Sequence, residues 1–234
     1  MNYCFDYVKR CFLSDLYGCD GLKNKDDVDP LKSLETILEP DVRQEFFTST
    51  LEEIHQRLAD IVLNDEVPFD VLQLFETAKN LSLYSWFVYR FHQVSELVSY
   101  SALEMALRER YLLDNPDKKA PTLQGLLNYA KQKKWLSNEK FPNALERALE
   151  NAYHKKVIRT LSASATGQNH EPIIIDEPSE AEVLEALNEL DPVGCTVEVS
   201  AKIRNNLAHG SSTLHPGSIA TLKRNAAVIN QLFN

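Results

Sequence analysis

Glycine is scarce in this chain, seven residues in 234, and that scarcity removes the chemistries that need a backbone to approach a phosphate closely. There is no Walker loop, no G-x-G-x-x-G, no G-x-S-x-G and no H-E-x-x-H. P-loop hydrolysis, dinucleotide binding, serine hydrolysis and zincin chemistry therefore lack the residues that give them their geometry. Cysteine is scarce too. Cys4, Cys11, Cys19 and Cys195 form no C-x-x-C pair and have no histidine at zinc-finger spacing, so no metal and no other cofactor is expected. Cys4 and Cys11 share a helical face with Val8 and Phe12, which suits small buried apolar residues in a reducing compartment. No apolar run reaches membrane-spanning length, and the opening Met1-Asn2-Tyr3-Cys4-Phe5-Asp6 has neither a basic start nor a long apolar stretch. The expectation is a soluble, cytoplasmic protein with no secretory signal and no membrane partner.

Positive charge is in deficit. The formal net charge is −9, so the mean field repels a polyanion and argues against a protein that coats RNA. Local basic clusters remain at Lys131, Lys133 and Lys134, at His154, Lys155, Lys156 and Arg159, and at Lys202 with Arg204. Each can equally be a solvated helix face.

What the chain does have is apolar residues at helical spacing. A hydrophobic content of 44% in this length supports one sizeable core, or one core with a smaller satellite. The period-3.6 pattern predicts helices over residues 3–16, 50–63, 68–79, 123–135, 142–161 and 219–233, with a long one over 84–113. Thr50 with Glu53, and Ser179 with Glu182, are capping boxes, the second opening a helix to about residue 190. Whether the helix after Pro68 merges with the long one stays open. Residues 162–171 are small and polar and read as a mobile loop. The β-branched runs Ile173-Ile174-Ile175 and Thr196-Val197-Glu198-Val199 leave room for one short two-stranded pairing in an otherwise all-α fold. Trp86, Phe87, Tyr89 and Phe91 read as core or dimer interface.

The segment Arg204-Asn205-Asn206-Leu207-Ala208-His209-Gly210 carries the chemistry. An arginine fork can hold the non-bridging oxygens of a phosphodiester, and a histidine with an ordinary pKa of about 6.5 can take or give a proton near neutral pH. A similar spacing recurs from Arg147 to His154, but there it lacks the following amide, the apolar pair Leu207 and Ala208 expected to face a core, and the helix-ending Gly210. The alternative is structural: a histidine just before a glycine is a common helix ending, with Arg204 solvated beside it.

The order of a long helix ending Tyr100-Ser-Ala-Leu-Glu104-Met-Ala-Leu-Arg108-Glu-Arg-Tyr111, further helices, and then Arg204-Asn205-x-x-x-His209 resembles the HEPN superfamily. The resemblance covers roughly residues 81–234. It implies an all-α HEPN-type bundle over that range, with residues 1–80 as additional N-terminal helices. It also implies a metal-independent endoribonuclease acting as a homodimer, with two such motifs meeting at the interface. Arg204 and His209 would then be catalytic, Asn205 the polar residue of the motif, and Glu104 the carboxylate that orients Arg204. Glu96, two turns earlier, could serve instead. RNA would be the substrate, an antitoxin-like or regulatory protein a further partner, and defence or stress a setting. Other members are non-catalytic, so a helical module that binds a partner protein or a nucleotide is the second expectation.

Overall fold

Helix α1 (Leu51–Ala59) begins where Thr50 accepts a hydrogen bond from the Glu53 N–H while the Glu53 carboxylate accepts one from the Thr50 N–H. These reciprocal bonds satisfy backbone donors that a helix start leaves open. The computed structural model describes residues 28–164, 175–210 and 214–234. The helix expected over residues 3–16 and most of the loop expected over 162–171 lie outside them. Within them, the chain continues through α2 (Phe69–Tyr84), α3 (Phe91–Asp114), α4 (Leu123–Gln132), α5 (Ala144–Ser164), α6 (Glu180–Leu190), α7 (Pro192–Ala208) and α8 (Ser218–Leu232), with short 3-10 turns at Val42–Phe46 and Asn138–Lys140. The protein is an all-α helical bundle, and the described residues contain no strand.

The expected strand at Thr196–Val199 is instead the middle of α7. Its β-branched residues were a poor guide because burial on one helix face outweighs a modest intrinsic preference. Val193, Thr196, Val197, Val199 and Ser200 are all buried. Local chemistry starts this helix firmly: Asp191 accepts a hydrogen bond from the Gly194 N–H at 2.9 Å, and Pro192 occupies the first turn. Asp191 also ends α6, in a left-handed conformation with φ 37°. One residue thus turns the chain between two helices. Ile175 lies in a loop, and the rest of its β-branched run lies outside the described residues.

The question left open after Pro68 is settled by a break. α2 ends at Tyr84, turns carry residues 85–90, and α3 begins at Phe91. Tyr89 in that break is buried, stacked on Phe47 at 6.3 Å with the Arg43 guanidinium 4.7 Å from its ring centre. The aromatic cluster is therefore intramolecular packing at Tyr89, with Trp86, Phe87 and Phe91 half-buried.

α3 is the central element. Its 24 residues span about 36 Å at a rise of roughly 1.5 Å each, and α2 and α8 pack along it. Ser95, Ser99, Ala102 and Ala106 are fully buried, and small side chains let neighbouring helices approach closely. α4 joins α3 and α7, while α5 pairs with α6. One apolar cluster runs from Leu58 to Leu232, and Val71, Phe75 and Ala78 of α2 belong to it together with residues of the later helices. No helix among the described residues is long and apolar enough to cross a membrane.

Candidate functional site

The packing of α7 on α3 brings together two residues far apart in the sequence, Glu104 and Arg204. An Arg204 Nη2 lies 3.1 Å from Glu104 Oε2, and Arg108 Nη2 lies 3.6 Å from Glu104 Oε1. One carboxylate therefore faces two guanidinium groups, a net positive trio. Glu104 is 17% exposed at its side chain and Arg204 35%, so the pair sits at a partly desolvated edge. Arg204 Nη1 also reaches Asn205 Oδ1, at a long 3.5 Å. The Arg204 Nε is buried and donates to nothing. Such a donor costs about 1–3 kcal/mol when left unsatisfied.

His209 closes α7. Its own N–H donates to the Asn205 carbonyl at 2.9 Å, and Gly210 follows in the left-handed region at φ 88°, where a glycine carries no side-chain penalty. The exposed imidazole makes no hydrogen bond or ion pair with any described residue. It is thus the main chain of His209, and not its ring, that helps finish the helix. Leu207 packs against the core as expected, but Ala208, the other half of the apolar pair, is exposed at the end of the helix. Asn205 and Asn206 are exposed. Arg204 and His209 do not touch; five residues along a helix place them about 7.5 Å apart along its axis.

The competing pair lies elsewhere. Arg147 and His154 are both exposed on α5, the helix paired with α6.

Glu96 does not serve Arg204. It is 2% exposed between α3 and the start of α8, where Thr221 Oγ1 donates to its Oε1 at 3.1 Å and His215 Nε2 lies 3.8 Å from its Oε2. Burial pushes its carboxyl above the ordinary range, against the opposing pull of His215, the Thr221 bond and Arg224. Gly217 is required here by close approach: a Cβ on it would stand 2.5 Å from His215 Nδ1 and 2.9 Å from Glu96 Oε1. Beside this group, Ser85 Oγ donates to the Ser82 carbonyl at 2.6 Å and so accepts from His92 Nε2 at 3.1 Å. That fixes His92 as the Nε2–H tautomer, with Nδ1 accepting from Ser218 Oγ at 2.7 Å. Ser82 then donates to Ser218, at 2.6 Å. Sequence reasoning missed this knot, because none of its residues forms a local pattern. It ties the segment that leaves the motif to α2 and α3.

The knot gives a pH prediction. Burial first, and His215 second, lower the His92 pKa to about 4 from 6.5. A histidine held neutral in the fold and free to ionise when unfolded makes the unfolded state the better proton binder, so its contribution is full above pH 6.5 and is lost as pH falls toward 4. Its size is up to about 3 kcal/mol. Thermal melts across this window should show the wild type losing stability relative to His92→Gln; parallel curves would show that His92 does not titrate this way.

Among the described residues no three His, Cys, Asp or Glu side chains converge in a way that could hold a metal ion. The arrangement at α7 can bind an anionic oxygen at Arg204 and exchange a proton at His209. No family model matches this chain, and neither the curated proteins nor the solved structures contain one significantly similar to it.

Proposed function

We propose that the protein is a metal-independent endoribonuclease of HEPN type, acting from the end of α7. The observation that carries this reading is Arg204: anchored by Glu104 at 3.1 Å and 35% exposed, it lies five positions before an exposed His209 whose imidazole is unengaged. Glu104 fixes the guanidinium, and the Nη N–H groups of Arg204, rather than the buried Nε, are the ones a phosphodiester can meet. His209 takes the proton from a ribose 2′-OH, the 2′-oxygen attacks the adjacent phosphorus, and the bond to the 5′-oxygen breaks, leaving a 2′,3′-cyclic phosphate. Arg204 stabilises the charge added to the phosphoryl oxygens in the transition state. The leaving 5′-oxygen takes its proton from a protonated His209 of a second copy, since one imidazole cannot be base and acid at the same moment; a homodimer supplies both by symmetry.

The test is cleavage of single-stranded RNA by purified protein in excess EDTA. The expected result is undiminished cleavage with products ending in 2′,3′-cyclic phosphate. Activity only with added Mg²⁺ or Mn²⁺ would sink the mechanism. A second reading, a non-catalytic module that binds a partner protein or nucleotide, is favoured by the net charge of −9. Binding of RNA or nucleotide with no cleavage under any condition would select it.

A further inference from the structure

Helix α4 ends on a residue that its backbone does not favour. The Trp135 N–H donates to the Ala130 carbonyl at 3.0 Å and the Lys134 N–H to the Lys131 carbonyl at 3.1 Å, the paired bonds with which helices commonly finish. That ending needs one left-handed residue, and here it is Lys134, at φ 56°. Glycine is the usual occupant, because a β-carbon in this conformation crowds the following carbonyl. The fold alone would favour glycine, so a lysine in its place points to a use for the side chain.

Lys134 has company. Residues 115–122 and 130–135 carry five lysines and a single carboxylate, Asp117, in a chain of net charge −9. The fold draws the two segments together: Asn115 Nδ2 donates to the Tyr129 hydroxyl at 3.1 Å, and Lys118 Nζ donates to Asn115 Oδ1 at 3.0 Å. Lys118, Lys119, Lys133 and Lys134 are exposed and have no ion pair with any described residue, whereas Lys131 lies 3.6 Å from Asp191. Aromatic rings underneath stiffen the group. Tyr129 meets Tyr111 and Trp135 edge-on at 4.9 and 5.3 Å, Lys133 Nζ lies 5.4 Å from the Tyr129 ring centre, and the Arg110 guanidinium lies 4.5 Å from that of Trp135. Such contacts hold long side chains in place, so less freedom is lost when an anion binds.

We propose that the α3–α4 loop and the end of α4 form a binding surface for the phosphate backbone of single-stranded RNA, with Lys118, Lys119, Lys133 and Lys134 as its phosphate contacts. The proposal rests on the reading that RNA is the ligand, and it names where the strand beyond the cut phosphodiester is held. Glu104 and Arg110 are six residues apart on α3, about 9 Å along its axis, so one helix carries both surfaces. A polyanion fits better than a protein segment: protein interfaces are depleted in lysine and anchored by buried apolar groups, whereas here lysines dominate and the rings are turned against one another. In a chain whose mean field repels RNA, the contact is salt-sensitive and confined to this face.

The experiment is the fluorescence anisotropy of a labelled 2′-O-methyl RNA of roughly 12 nucleotides, within the range that one such surface holds, across a salt series. That strand lacks the free 2′-OH that cleavage requires, so binding is read whether or not the protein is a nuclease. The wild type should bind, and more weakly as salt rises. Lys133→Ala with Lys134→Gly should raise the Kd at least about tenfold at low salt and lessen the slope of log K against log salt by roughly 1.4, about 0.7 for each phosphate contact. Lys134→Gly alone should weaken binding while raising the Tm by about 2 °C, which separates a ligand-binding lysine from a structural one. Lys155→Ala with Lys156→Ala removes the same charge from α5 and should leave the Kd nearly unchanged. A wild type that does not bind, a Kd indifferent to the α4 substitutions, an equal loss from the α5 pair, or competition by polyglutamate as strong as by unlabelled RNA would each overturn the proposal, the last by assigning the surface to an acidic protein segment. Binding through these lysines without cleavage in EDTA would uphold the surface and remove the nuclease.

Discussion

Arg204→Ala and His209→Ala are each expected to lower the rate of RNA cleavage by at least about a hundredfold, the low end of what a positioned acid or base contributes. The structure makes this pair of variants clean. His209 bonds through its main chain, which alanine keeps, and its ring is exposed, so the fold loses little with the imidazole. Arg204 gives up one partly exposed ion pair to Glu104, and such pairs are commonly worth less than about 1 kcal/mol. Helical content by circular dichroism should therefore be unchanged in both. Glu104→Gln should cost less than Arg204→Ala, because the amide can still accept from the guanidinium while its charge is gone. Arg147→Ala and His154→Ala should cleave nearly as the wild type does. The opposite ranking would move the reaction centre from α7 to α5.

The largest effect on stability belongs to Phe75→Ala. Phe75 is 0% exposed in α2, within the core cluster where α2 packs along α3. Removing a fully buried phenyl ring takes away its transfer free energy and leaves a cavity that rigid neighbours fill only in part, together about 3–5 kcal/mol. For a chain of this size that corresponds to a fall in Tm of roughly 10 °C. Phe46, 83% exposed at the end of its 3-10 turn, is the control, and Phe46→Ala should change stability by less than about 0.5 kcal/mol. Urea titration measures both. A Phe75→Ala loss below about 1 kcal/mol would mean that the α2–α3 seam repacks freely.

Much of this architecture was legible because it is written in local chemistry. Thr50 with Glu53 and Ser179 with Glu182 form the reciprocal caps that their spacing implies, and both helices begin where they should. Helix ends were harder. α1 stops at Ala59 and not near residue 63, because Asn64 is engaged by Asn230 across 166 residues, with its N–H donating to Asn230 Oδ1 at 2.8 Å. No window of sequence contains that bond. The same limit explains Thr196–Val199, whose helical state follows from the face it buries. At the candidate site, Glu104 and Glu96 were indistinguishable by pattern, since both lie on α3 within two turns. Their separation comes from which helix packs over each: α7 brings Arg204 to Glu104, while the start of α8 covers Glu96. The knot of His92, His215 and three serines draws on α2, α3 and the approach to α8, so only the assembled fold reveals it.

The burial of Glu96 has a consequence for assembly. Before α8 arrives on α3, that carboxyl faces water and titrates near its ordinary value of 4.5; once covered, it titrates higher. Between those two values, seating the C-terminal helix draws a proton out of solution as well as expelling water from Leu222 and Ile229. The final closure of the bundle is therefore chemically coupled to the acidity of its surroundings, and in that interval a more alkaline medium opposes it.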